Sequence, residues 1–253
     1  MSKQPDNHEQ EEQLAEGTLM SHLLELRSRI MKAVLAVAVV FLSLAYFTQR
    51  VFEIVSAPLI AVLPEGSQMI ATDVASPFVT PFKTTFYVAL FIAMPVVLFQ
   101  VWQFVAPGLY KREKKFAIPL IVSSIVLFYA GMAFAYFVVF RLMFSFFAKV
   151  VPGGVMMAPD ISSYLSFVLG IFLAFGIAFE VPIATVMLIW SGLVSIKTLQ
   201  KGRRYAFLGA FVIGAVLTPP DVFSQTLLAL PMYLLYEGGM IMAKIMLPEK
   251  TKQ

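Results

Sequence analysis

Glu180 lies inside an apolar run from Ser163 to Trp190, with no opposite charge near it in sequence. An ionised carboxylate at the centre of a bilayer costs roughly 2.5–3.5 kcal/mol on insertion scales. A carboxylate kept at such depth is expected to face protein or water, not lipid. The plainer alternative is a carboxyl that packs one helix on another through a hydrogen bond. About ten residues of helix separate Glu180 from Trp190, about 15 Å, or half the apolar thickness. That places it near the midplane.

Two further acids stand apart. Of the 15 acidic residues, five (Asp6, Glu9, Glu11, Glu12, Glu16) crowd the polar start, five (Glu53, Glu65, Asp73, Asp160, Asp221) fall on the side poor in basic residues, Glu180 and Glu237 lie within spans and Glu249 is in the tail. Glu25 and Glu113 instead sit beside the membrane on its Lys- and Arg-rich side. Glu25 is expected on a short amphipathic helix that Ser21 caps. Its local reading is an i,i+4 pair with Arg29, about 0.2–0.5 kcal/mol. Glu113, within Tyr110-Lys111-Arg112-Glu113-Lys114-Lys115, reads locally as charge balance. Together, two carboxylates on one face also suit a ligand with two arginines, because guanidinium pairs bidentately with carboxylate.

Other chemistries are poorly served. The chain has no cysteine, and both histidines, His8 and His22, precede the first apolar run. This argues against an intramembrane serine–histidine protease and against a histidine metal cluster. No glycine-rich phosphate loop is visible. The reading is therefore of a protein that is not an enzyme and uses no cofactor.

The elements that hold these residues are membrane helices. The chain is 59% hydrophobic and 13% charged, with mean hydropathy +0.83, whereas a soluble domain is about 25% charged. Six segments can span: about Ile30–Phe47, Phe82–Ala106, Phe116–Phe140, Ser163–Trp190, Tyr205–Leu217 and Val222–Ala243. The fourth is too long to stand upright, and Pro182 is expected to kink it. The fifth supplies only about 20 Å of apolar helix. Fifteen of the 19 Lys and Arg residues fall on one side. By the positive-inside rule both termini are cytoplasmic, and the net charge of +4 reports topology, not nucleic-acid binding. No cleavable signal peptide is apparent. The proline-marked stretches Thr48–Pro81 and Arg141–Ser162 are expected to form an ordered outer cap. Thr218-Pro219-Pro220-Asp221 reads as a tight turn, with Asp221 capping the last helix.

Four motifs then carry a resemblance. Ser21-His22-Leu23-Leu24-Glu25-Leu26-Arg27-Ser28-Arg29 resembles the N-terminal signature of the TatC family, the receptor subunit of the bacterial twin-arginine translocase. Phe104-Val105-Ala106-Pro107-Gly108-Leu109-Tyr110, followed by Glu113, looks like its first cytoplasmic loop. Phe175-Gly176-Ile177-Ala178-Phe179-Glu180-Val181-Pro182 looks like its fourth helix. Thr218-Pro219-Pro220-Asp221 with Phe223-Ser224-Gln225 looks like its last outer turn. The likeness covers about residues 20–243. Ser21 stands where the family usually has Thr, which keeps the hydroxyl.

The resemblance implies an all-α polytopic membrane protein, six transmembrane helices in a concave, glove-like bundle. It implies recognition of Arg-Arg signal peptides and passage of folded proteins across the bacterial inner membrane, driven by the proton-motive force. Implied partners are the single-span TatA and TatB subunits, signal peptides and membrane lipid, with further copies of the chain in the complex. Glu25, Arg27, Phe104 and Glu113 would bind the signal. Glu180, Thr218, Asp221 and Gln225 would meet partner helices. Residues 1–20 read as a disordered start, 21–247 as the membrane domain and 248–253 as a cytoplasmic tail. The alternative is a proton-coupled secondary transporter with Glu180 as its relay. The absence of an internal repeat and the acid pair at the surface weigh against it.

Overall fold

The computed structural model describes residues 7–60, 69–105, 114–150, 158–218 and 221–247. These residues form helices and connections only, apart from one isolated bridge between Ile70 and Asp160. Helix α1 covers Asn7–Leu44, and a 3-10 turn at Ala45–Phe47 leads into α2, Thr48–Ile60. Helix α3 is Ser76–Val105 and α4 is Lys114–Phe134. A π turn, Ala135–Val139, joins α4 to α5, Phe140–Val150. Then follow α6, Ile161–Ala178, α7, Val181–Trp190, α8, Ile196–Leu217, and α9, Val222–Met246.

Five stretches among the described residues are long and apolar enough to cross a bilayer: Met20–Ala57, Ser76–Val105, Ile118–Phe147, Ile161–Trp190 and Val222–Met246. Helix α8 is 22 residues long, but its first turns carry Lys197, Lys201, Arg203 and Arg204. Only the part from Tyr205 onward is apolar, as the sequence implied. Outward faces remain apolar throughout. Leu35, Leu42, Val126 and Val216 are all more than half exposed. Such a surface is unfavourable in water and matched to hydrocarbon.

Three local expectations change. Ser21 does not cap a short helix, because α1 runs unbroken past it. The backbone is helical from Asn7, inside the polar stretch that composition suggested was disordered. Residues 141–150 continue the third span as helix instead of opening a loop. The π turn at Ala135–Val139 accommodates one extra residue within this otherwise continuous helix.

Packing follows small residues. Helix α4 lies against α6, and α1 and α2 against α3. At Gly131 a Cβ would stand 2.4 Å from the carbonyl oxygen of Phe175, so only glycine permits this approach of α4 to α6. At Gly239 a Cβ would stand 2.9 Å from Pro182 Cα, which brings α9 onto α7 as closely. Small residues at helix interfaces are how membrane helices gain dispersion contacts when lipid offers no hydrophobic drive. Around these contacts Phe128, Phe175, Met143, Leu165 and Leu169 form a fully buried core.

At the end opposite the basic residues, Asp160 fastens two connections. Its Oδ2 accepts from Ser163 N–H at 2.9 Å, capping α6. Its Oδ1 accepts from Thr72 N–H at 3.1 Å and from the Thr72 hydroxyl at 2.8 Å. The Ser163 amide first, then the Thr72 groups, hold this carboxyl well below the usual carboxylate range, so it stays ionised. The described parts of these connections are thus tied together, as expected of a cap.

Candidate functional site

Glu180 sits at a break in the fourth span. Pro182 has no N–H to donate to the carbonyl four residues back, and α6 accordingly ends at Ala178 and α7 begins at Val181. Through the break, Glu180 N–H donates to Ile177 O at 3.0 Å and Ala184 N–H to Glu180 O at 2.8 Å. The helix is thus interrupted where Pro182 was expected to act, and the Glu180 side chain lies inside the bundle. Glu180 is 8% exposed.

Two residues that sequence reasoning did not single out meet it there. Trp102 on α3 donates its indole N–H to Ser124 Oγ on α4 at 2.7 Å. Ser124 donates its hydroxyl to Glu180 Oε2 at 2.5 Å. Ser124 is fully buried and Trp102 is 6% exposed. Glu180 Oε1 is buried with no hydrogen-bond partner. A tryptophan and a serine in apolar runs give no signal of their own; only the approach of α3, α4 and the α6–α7 break brings them together.

A second constellation lies at the basic end. Arg29 Nε and Nη2 both donate to Glu25 Oε1, at 3.0 and 2.5 Å. Arg29 Nη1 also donates to Gln103 Oε1 on α3. The i,i+4 pair read from the sequence is thus made, and Gln103 extends it to a second helix. The Arg29 side chain is 17% exposed and that of Glu25 is 37%. Next to Gln103, the Phe104 ring lies 5.3 Å from the His22 ring. Arg27 is exposed. Glu113 falls outside the described residues, as do Pro219 and Pro220. Three successive residues of α3, Trp102, Gln103 and Phe104, therefore touch both constellations.

The third group of candidates is at the other end, where α8 meets α9. Asp221 caps α9, accepting from Ser224 N–H at 2.6 Å. Thr218 donates its hydroxyl to Gly214 O at 2.9 Å. Gln225 is half-buried, and its backbone carbonyl lies 3.2 Å from where a Gly214 Cβ would be. Asp221 Oδ2 and Ser224 Oγ are buried without partners. Ser224 is a polar residue of this group to which the sequence assigned no separate role.

Among the described residues no group of His, Cys, Asp and Glu could hold a metal ion.

Comparisons with known proteins identify the family. The family described as Sec-independent protein translocase protein (TatC) matches residues 21–231. A protein of that name from Azotobacter chroococcum is 59% identical over 221 residues, 87% of each chain. One from Escherichia coli K12 is 58% identical over 226 residues, 89% of this chain and 88% of the other. A crystal structure described as the twin-arginine translocase receptor TatC superposes with a TM-score of 0.80 at 38% identity, covering 88% of this chain and 98% of that one. On this evidence of sequence and architecture together, the chain belongs to the TatC family of Sec-independent protein translocase proteins.

Proposed function

We propose that this chain is the receptor subunit of a twin-arginine translocase in a bacterial cytoplasmic membrane, with both termini cytoplasmic. It binds Arg-Arg signal peptides at the basic end and works with TatA and TatB to pass folded proteins, driven by the proton-motive force. The observation that carries this reading is that the basic end already seats a guanidinium. Arg29 occupies Glu25 with two nitrogens, and Gln103 takes a third. A ligand arginine can replace Arg29 on the same oxygens, with Phe104 and His22 beside it. Glu113 takes the second arginine, and Arg27 shapes the rim.

The test is direct. Purified protein is expected to bind a labelled signal peptide with Arg-Arg and to lose most of that affinity when the pair is Lys-Lys, because ammonium cannot reproduce the bidentate fork. Equal affinity for the two peptides would refute the receptor reading.

The α8–α9 end is the proposed docking edge for the single-span partners. Its support is the pair of buried, unpartnered oxygens on Asp221 and Ser224, which a polar partner side chain can satisfy. Cysteine probes at Thr218 and Gln225 are expected to crosslink to a partner helix. Failure at both positions would remove this edge from the docking surface.

The transporter alternative is weaker on chemical grounds. The chain from Glu180 ends on an indole N–H, which donates and does not accept, so it cannot hand a proton onward.

A further inference from the structure

Glu180 does not sit in its pocket by packing alone, and the hydrogen-bond chain that reaches it has a fixed sense. An indole nitrogen is a donor only. The Trp102 N–H therefore occupies a lone pair of Ser124 Oγ, and the single Ser124 proton must point elsewhere. Serine in a helix ordinarily turns that proton back to its own carbonyl four residues before. The adjacent Ser123 does so, donating to Pro119 O at 2.8 Å. Ser124 instead reaches across to Glu180 Oε2. The result is a carboxyl held through one oxygen, while the other, Oε1, is buried and unpartnered.

We propose that Ser124 and Trp102 are positioning residues for Glu180, holding one carboxyl oxygen so that the other is presented to a hydrogen-bond donor on a partner's membrane helix. The proposal rests on the reading of Glu180 as a partner contact. It adds that the contact depends on a three-helix hydrogen-bond chain in which Glu180 meets the partner while Ser124 and Trp102 act through Glu180. Trp102 fixes the rotor of Ser124, and Ser124 fixes the carboxylate. All three lie inside the bundle, with Ser124 fully buried, Trp102 6% exposed and Glu180 8% exposed; what sets Glu180 apart is the one carboxyl oxygen that nothing in the chain occupies.

The test uses the full chain in nanodiscs of phosphatidylethanolamine and phosphatidylglycerol. An infrared difference between wild type and Glu180→Gln isolates the Glu180 carboxyl bands. Ser124→Ala and Trp102→Phe are each expected to move those bands, and Ser124→Thr to restore them, since it returns the hydroxyl. A purely packing role for Ser124 and Trp102 would leave the bands in place, and that outcome overturns the proposal. Trp102→Phe keeps a large ring at the site, so a folding defect confined to Ser124→Ala does not blunt the measurement.

The functional arm reads crosslinking of a partner helix to a cysteine at Ile177, which is 56% exposed on the helix that leads to Glu180. Crosslinking in Ser124→Ala is expected to fall about tenfold, the effect of losing one hydrogen bond of about 1.4 kcal/mol. Signal-peptide affinity is expected to hold at the wild-type value. Wild-type crosslinking in Ser124→Ala, alongside impaired crosslinking in Glu180→Ala, overturns the positioning role alone. Wild-type crosslinking in Glu180→Ala as well would show that Glu180 is no partner contact, and the reading beneath the proposal falls instead.

Discussion

Replacing Glu113 by alanine is expected to weaken binding of an Arg-Arg signal peptide by about tenfold to a hundredfold. A hydrogen bond to a charged group contributes about 1.5–3 kcal/mol, and each 1.4 kcal/mol is a factor of ten. Two such contacts, at Glu25 and Glu113, give about 3–6 kcal/mol. Micromolar binding needs about 8, so the apolar stretch of the signal supplies the remainder. Glu25 is expected to behave differently from Glu113. Removing its carboxylate also takes from Arg29, which is mostly buried, the acceptor of two of its nitrogens and leaves it the bond to Gln103. Glu25→Gln is therefore the cleaner variant. Arg29→Gln carries the opposite sign, because it removes the guanidinium that competes for Glu25. Its affinity for the Arg-Arg peptide is expected to rise, while that of Glu113→Ala falls. Fluorescence anisotropy of a labelled signal peptide on purified protein reads all three. Unchanged affinity in Glu113→Ala would end the two-carboxylate model.

Replacing Glu180 by alanine is expected to abolish partner recruitment at the fourth span while leaving signal binding intact. The side chain is 8% exposed and its Oε2 already accepts from Ser124. Alanine removes that acceptor and leaves the Ser124 hydroxyl without its partner, a loss of about 1–3 kcal/mol. Glutamine retains an oxygen at the same reach, so Glu180→Gln is expected to keep much of the transport activity. The difference between the two substitutions separates hydrogen bonding from charge. The measurement is crosslinking of TatA to this span during transport of a folded precursor. Wild-type crosslinking in the alanine variant would reduce Glu180 to a packing residue.

The two expectations differ in how far the sequence alone supported them. Glu180 was conspicuous because a carboxylate in an apolar run is costly wherever the helix ends up. Pro182 marked the break for a reason equally local, the missing N–H. The cap at Asp221 was legible because its geometry spans three residues of one chain segment. The Glu25–Arg29 pair was legible too, since residues four apart on a helix are neighbours whatever packs around them.

What failed in the sequence reading failed at ends. Ser21 looked like a cap, but a capping residue works only where a helix starts, and α1 continues through it. Residues 141–150 looked like a loop because Arg141 interrupts the apolar run, yet packing carries the helix on. Charge and hydropathy report where a segment meets water, not where its backbone stops being helical.

The sequence by itself determined the class of the protein, its apolar spans, and the carboxylates worth asking about. Those follow from the transfer energies of individual side chains and from helix periodicity, which act within one segment. The partners of those carboxylates were decided by tertiary structure. Gly131 lets α4 touch α6, which carries Ser124 to Glu180, and α3 adds Trp102 from 22 residues before Ser124. Gln103 meets Arg29 across 74 residues of chain. Hydrogen bonds at such separations depend on ångström distances between helices, and those distances are set by which small residues face one another in the packed bundle.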